Sequence, residues 1–95
     1  MLVNYTKDAF SSLIKLVNFI EEKNTEGAGL RWFRRYEMFV QKKLINPQKI
    51  KKCQNLTFNQ LNLRCLNFND WVIAFTVQDD FILIESLLHK SRITD

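Results

Sequence analysis

The sequence predicts an α+β fold: a helical hairpin packed on one face of a small twisted antiparallel β-sheet. Phe10 to Ile20 and Trp32 to Leu44 carry apolar residues three and four apart, as helices with one buried face do. The last third instead breaks into "LNLRCLNF", "WVIAFTVQ" and "FILIESLL", separated by "ND" and "DD". Those pairs suit two-residue hairpin turns, because Asn and Asp tolerate the positive φ such turns demand. Only two glycines and one proline occur in 95 residues, so long structureless segments are not expected and residues 1–95 read as one domain.

Taken in order, "MLVNYT" reads as a short opening strand. Thr6 offers an N-cap, and Asp8 lies in the first turn, where a negative charge suits the helix dipole. Phe10, Leu13, Ile14, Val17 and Ile20 form the expected buried face, and Glu21, Glu22 and Lys23 close the helix. In "NTEGAG", Asn24 is expected in the left-handed conformation that ends a helix, and Thr25 is expected to cap the next one. That second helix is expected from about Gly27 to Leu44, with a stripe of Trp32, Phe33, Tyr36, Phe39, Val40 and Leu44. Arg31, Arg34, Arg35 and Lys42 fall opposite. A solvated face is the ordinary meaning of such arginines; a surface for phosphate or for acidic partner residues is the alternative. Pro47 ends the helix, since it lacks an amide hydrogen and clashes with the preceding turn. "QKIKKCQNLTF" reads either as a short strand or as a basic loop.

Two-residue turns fix the strand register. Phe68 should face Trp71, Leu66 Ile73 and Arg64 Phe75; across the next turn Val77 should face Ile82, Phe75 Ile84, Ile73 Ser86 and Trp71 Leu88. One side of the sheet then carries large, almost continuous apolar groups, which must pack on the helices. The other carries Leu63, Cys65, Asn67, Val72, Ala74, Thr76, Leu83, Glu85, Leu87 and His89. It is apolar enough to want a cover, and no helix remains in the sequence to provide one, so a partner is expected there.

The net charge of +4, from 14 Lys and Arg against 10 Asp and Glu, favours an acidic partner, nucleic acid or protein. Cys53 and Cys65 are the two cysteines; with no secretion signal in "MLVNYTKDAF" they are expected to stay reduced in a cytoplasmic protein. Cys65 beside Ala74 is expected to be a packing group. One histidine and two cysteines fall short of a structural zinc set, and no cofactor or metal is expected. No apolar run approaches the roughly 18 residues of a membrane helix.

The opening strand, the helical hairpin joined by "NTEGAG", the basic connector and the meander ending in "LLHKSR" together resemble the RelE/ParE superfamily. "FIEEKNTEGAGLRW" and "NFNDWVIAFTV" carry the resemblance most strongly, and it covers essentially the whole chain. It implies the toxin half of a type II toxin–antitoxin module, one of the plasmid-stabilisation proteins, which arrests growth until a cognate antitoxin wraps it. It also implies a target: messenger RNA in the ribosome, which some members cleave, or DNA gyrase, which others poison.

Ribosome-dependent nucleases of this superfamily carry an arginine just after the aromatic that follows the hairpin turn, and basic residues on the concave sheet face. Here those places hold Val72, and Leu63 and Cys65. RNA cleavage needs a base, cationic stabilisation of the phosphorane and an acid. The candidates left for it are His89, Arg92 and Glu85, with Lys49, Lys51, Lys52 and Lys90 binding the target or nucleic acid. His89 carries an imidazole, a group suited to acid–base work, although a polar residue at a strand end has a simpler explanation. Arg31, Arg35, Val72, Ala74, Leu83 and Leu87 are the residues expected to meet the antitoxin.

Overall fold

In the computed structural model, which describes residues 2–92, strand β1 (Leu2–Tyr5) leads into helices α1 (Lys7–Lys23) and α2 (Ala28–Lys43). A 3-10 turn (Pro47–Lys49) and a short helix α3 (Leu56–Gln60) follow. Strands β2 (Arg64–Phe68), β3 (Trp71–Val77) and β4 (Phe81–His89) close the chain with a 3-10 turn over Lys90–Arg92. Met1, expected in the opening strand, and residues 93–95 of the expected domain lie outside the described residues. The fold is α+β, with the helices packed on a four-stranded sheet ordered β1-β4-β3-β2. The sheet is mixed rather than antiparallel. β1 runs parallel to β4, pairing Val3 with Ile82 and Tyr5 with Ile84.

Thr6 caps α1, its Oγ1 accepting from the Ala9 amide at 3.1 Å. The buried face of α1 is Ala9, Leu13 and Leu16, with Val17 and Ile20 partly covered. Phe10 and Ile14, expected inside, are 53% and 44% exposed. Bulk misleads here: small Ala9 takes the inward position, and Phe10 lies edge-on against Tyr5 with ring centroids 6.2 Å apart.

Neither expected residue of the interhelical turn acts as anticipated. Asn24 is extended (φ −133°), and its Nδ2 donates to the Ile20 carbonyl at 2.8 Å. Gly27, not Thr25, precedes α2, at φ +84°, where glycine is at ease. Glu21 takes over the capping: Oε2 accepts from the Gly27 amide at 2.8 Å and Oε1 from the Gly29 amide at 2.9 Å. Those two amides, helped by Arg31, hold its carboxyl below the usual value of 4.5. Gly29 lets α2 approach α1, since a Cβ there would stand 2.7 Å from the Val17 carbonyl oxygen.

The core lies between the helices and one side of the sheet. Trp32 and Tyr36 stack 5.4 Å apart, and both meet Phe68 edge-on. Ile73, Phe75, Ile82 and Ile84 are wholly buried. The Tyr36 hydroxyl shares a 2.8 Å hydrogen bond with that of Tyr5, and burial raises both pKa values.

The β2–β3 register is as expected, from Phe68↔Trp71 to Arg64↔Phe75, and Asn69 has the positive φ (54°) of its turn. At Asp79 and Asp80 no positive φ occurs. The β3–β4 register holds for Val77↔Ile82 and Phe75↔Ile84, then shifts: Ala74 pairs with Ser86, Ile73 with Leu87 and Trp71 with His89. Glu85 is the extra residue of a β-bulge, and one inserted residue exchanges the faces of everything after it. Leu87 is therefore in the core at 3% exposure, not on the second face. Ser86 and Leu88 take the second face instead, opposite Ala74 and Val72.

Candidate functional site

The second face of the sheet has its own cover. After the 3-10 turn the chain runs extended along β2: the Cys53 amide donates to the Leu63 carbonyl at 2.9 Å, and the Cys65 amide to that of Lys51 at 3.3 Å. Lys52 and Arg64 form an isolated antiparallel bridge. The Arg64 guanidinium, half-buried, donates to the Ile50 carbonyl. α3 then starts at Asn55, whose Oδ1 accepts from the Phe58 amide at 3.0 Å. Asn62 turns the chain into β2 at φ +60°.

Cys53, Leu63 and Ala74 form a second buried cluster beneath this segment, with Phe58 and Cys65 against it. Cys53 and Cys65 are joined by a disulfide, so the expectation of reduced cysteines, and of Cys65 as a free packing group, is corrected. The basic connector is thus neither a strand nor a loose loop. It is a clasped segment over one end of the face expected to await a partner.

Beside the clasp lies a hollow of about 360 Å³, lined by Lys51, Lys52, Gln54, Asn55, Asn67, Val72 and the two cysteines. Lys52 Nζ donates to Asn62 Oδ1 at 3.3 Å. The structure therefore gathers Lys51, Lys52 and Val72 of the anticipated residues into one basic recess. Lys49 stands apart, exposed in the 3-10 turn.

The anticipated catalytic residues are not gathered there. His89 pairs with Trp71 and lies edge-on to its ring at 5.2 Å, on the side of the sheet that faces the helices. Its Nδ1 meets Ser91 Oγ at 2.8 Å and accepts from the Ser91 amide at 3.2 Å. Glu85 sits in the bulge, four residues back along β4, a spacing of about 13 Å in extended chain. Its carbonyl accepts from Thr6 Oγ1 at 3.4 Å. Lys90 makes a 3.1 Å ion pair with Asp70, and Arg92 is exposed in the terminal 3-10 turn. The bulge explains the miss: nothing in "FILIESLLHK" marks where a residue is inserted.

The residues expected to meet an antitoxin divide as well. Ala74 and Leu87 are sealed inside, at 0% and 3% exposure, which leaves Val72 and Leu83, half-buried on the second face. Arg31 braces the interhelical turn, donating to Thr25 Oγ1 at 3.2 Å and the Glu26 carbonyl at 3.3 Å. Arg35 is exposed on α2, in the helix layer, whereas Val72 is on the second face of the sheet. A second hollow of about 360 Å³ lies where the outer edge of β1 meets the end of α2, among Leu2, Tyr5, Glu37, Leu44 and Ile45. Sequence reasoning missed it, although Leu2 and Ile45, each 72% exposed, were visible as apolar residues outside every stripe.

Among the described residues no group of three or more His, Cys, Asp or Glu could hold a metal ion, and no helix is long and apolar enough to cross a membrane. Against known families, the model for the ParE toxin of the type II toxin–antitoxin system parDE matches residues 3–94. A search of curated proteins found no match.

Proposed function

Since the chain belongs to the ParE toxin family of type II toxin–antitoxin systems, with a cognate antitoxin as its implied partner, we propose that it arrests growth by binding its target rather than by cleaving RNA. DNA gyrase in the cytoplasm is the target this reading favours, as for the gyrase-poisoning members of the superfamily. One observation carries it. A general base must stand within hydrogen-bond reach of the proton it takes, yet His89 lies with Trp71 on the helix side of the sheet while Lys51 and Lys52 line a hollow on the other. Glu85 is in the bulge, four residues back along β4 from His89. No one substrate phosphate reaches all three.

The antitoxin, on this reading, wraps the molecule. Arg35 belongs to the helix layer, and Val72 and Leu83 to the face of the sheet turned away from it, so a segment touching both must pass round an edge. Lys51 and Lys52, with Lys49 and Lys90 nearer the rim, supply the cationic surface for the target.

Inducing the chain alone in a bacterial host, then assaying supercoiling by purified gyrase and mapping messenger RNA ends, tests the proposal. Growth should stop, supercoiling should fall, and no discrete new RNA ends should appear. The double variant His89→Ala, Arg92→Ala should remain toxic. Discrete RNA cuts that vanish in that variant would restore the nuclease reading, and unimpaired growth would leave a non-toxic interaction module.

A further inference from the structure

The clasp over the second face is built differently from the rest of the fold. Among the described residues, thirteen buried ones form the main core, whereas the cluster under the clasp has three, one of them Cys53 itself. α3 has five residues and none is buried; Leu56 and Leu61 are each 62% exposed. Phe58 contributes a half-buried ring. Cys53 thus joins the segment to the sheet twice, as an apolar group and as half of a covalent bond spanning 12 residues.

We propose that the Cys53–Cys65 disulfide is a reversible redox clasp. Closed, it holds residues 50–63 against β2 and forms one wall of the basic hollow. Open, it frees that segment while the core and both long helices stay folded. The inference is independent of what the toxin's target is.

The two cysteines differ in burial. Both line the hollow, but Cys53 is 1% exposed and Cys65 is half-buried, so reduction starts at Cys65. A dithiol reductant supplies both electrons. One of its thiolates attacks Cys65 Sγ; the S–S bond breaks and Cys53 leaves as a thiolate that takes a proton. The reductant's second thiolate then displaces Cys65 from the mixed disulfide, and the reductant ends as its own disulfide.

Release has a local consequence because of where the bond lies. Lys51 and Lys52 sit immediately before Cys53, and Gln54 and Asn55 immediately after it. All four line the hollow. Losing the bond frees that wall and uncovers Ala74, which is otherwise fully buried. Short apolar contact with little buried area is the signature of a segment that opens on its own, below the stability of the whole.

Amide hydrogen exchange on the full chain, oxidised, reduced with a dithiol and as the double variant Cys53→Ser, Cys65→Ser, tests the clasp. Exchange across 50–63 should quicken about tenfold or more in the reduced and variant forms, with α1 and α2 within about twofold of the oxidised protein. Re-oxidation should restore the slow rates in the wild type alone. Equal rates in 50–63 for all three forms would overturn the proposal, as would equal quickening in the two long helices, the mark of a global staple. Failure of the reduced chain to re-form the bond under oxidised glutathione would also overturn it.

Discussion

The two faces of the sheet are roofed by the same polypeptide in opposite ways. On the helix side, α1 and α2 lay a continuous stripe of rings and branched chains over Ile73, Phe75, Ile82 and Ile84. On the other side, a segment with a five-residue helix buries Cys53 and Leu63 of its own against Ala74 and is tied down by a covalent bond. Burying an aromatic or branched side chain contributes about 1.5–3 kcal/mol, so a roof of such groups needs no bond. Leu63, Ala74 and a cysteine cannot match that. The first face is therefore architecture, and the second is where the molecule can change.

The largest expected difference between the faces comes from truncating one ring on each. Phe75→Ala, at a wholly buried site, should cost about 3–5 kcal/mol. Phe58→Ala, at a half-buried ring of the clasp itself, should cost about 1 kcal/mol. Urea unfolding of both variants measures the contrast. Comparable losses would mean that the clasp belongs to the same cooperative unit as the core.

On the helix side the close approach at Gly29 is the next point to strain. An added Cβ meets the Val17 carbonyl oxygen at 2.7 Å, a backbone atom that cannot rotate away, and Glu21 Oε1 at 3.1 Å. Gly29→Ala should lower stability by about 1–3 kcal/mol, the usual range for overpacking. Gly27→Ala meets chiefly the end of the Arg31 side chain, so its cost should come from φ +84°, about 1 kcal/mol. Thermal melts of both separate contact from conformation.

How much of this was legible in the sequence follows the same division. Helical spacing found α1 and α2, and the two-residue turns found β2, β3 and the first half of β4, because each is encoded by residues close in the chain. Phe10 and Ile14 were misplaced because the pattern weighs size, whereas packing against a sheet favoured Ala9. The cap on α2 was missed because Glu21 reaches it from the preceding helix, outside any local capping pattern. The clasp was missed for a more general reason. The pairing of Cys53 with Cys65 and the docking of Lys51 to Cys53 on β2 are tertiary facts, and compartment arguments about cysteine cannot supply them. Counting places Glu85 on a face, and a bulge is invisible to counting.

The disulfide offers a third comparison, because a covalent link acts on the unfolded chain as well. For a loop of this order the chain-entropy value is about 3 kcal/mol, provided the linked parts unfold together. Where 50–63 is already loose in the reduced native protein, that entropy is gained before global unfolding and cancels. Cys53→Ser, Cys65→Ser should therefore shift the global unfolding free energy by about 1 kcal/mol or less. A loss near the full value in urea titration would tie the clasp to the core.

Removing Glu85 altogether should be nearly silent for folding. Ile84 already pairs with Phe75 and Ser86 with Ala74, so deletion joins two correct registers into a regular ladder. The Thr6 Oγ1 contact with the Glu85 carbonyl, at 3.4 Å, is the interaction lost. Stability should change by about 1 kcal/mol at most, within the range of substitutions away from the core. If toxicity disappears while the melting curve holds, Glu85 itself takes part in the activity, and the case for a binding toxin without that carboxylate fails.

The smallest effect, and the one with a sign fixed by pH, belongs to Glu21. Both carboxylate oxygens accept amide hydrogens, from Gly27 and Gly29. Glutamine would turn an NH2 group toward one of those donors, so Glu21→Gln should be less stable at neutral pH. The folded protein holds this carboxyl below its ordinary 4.5. Between the lowered value and the ordinary one the unfolded chain binds the proton that the folded chain refuses. The stabilisation is therefore complete above the ordinary value and drains away as pH falls through the lowered one. Melting curves of wild type and variant should differ by a constant amount above about pH 6 and converge in acid. A difference that stays constant into strong acid would mean that the two hydrogen bonds owe nothing to the charge, and that geometry alone closes the interhelical turn.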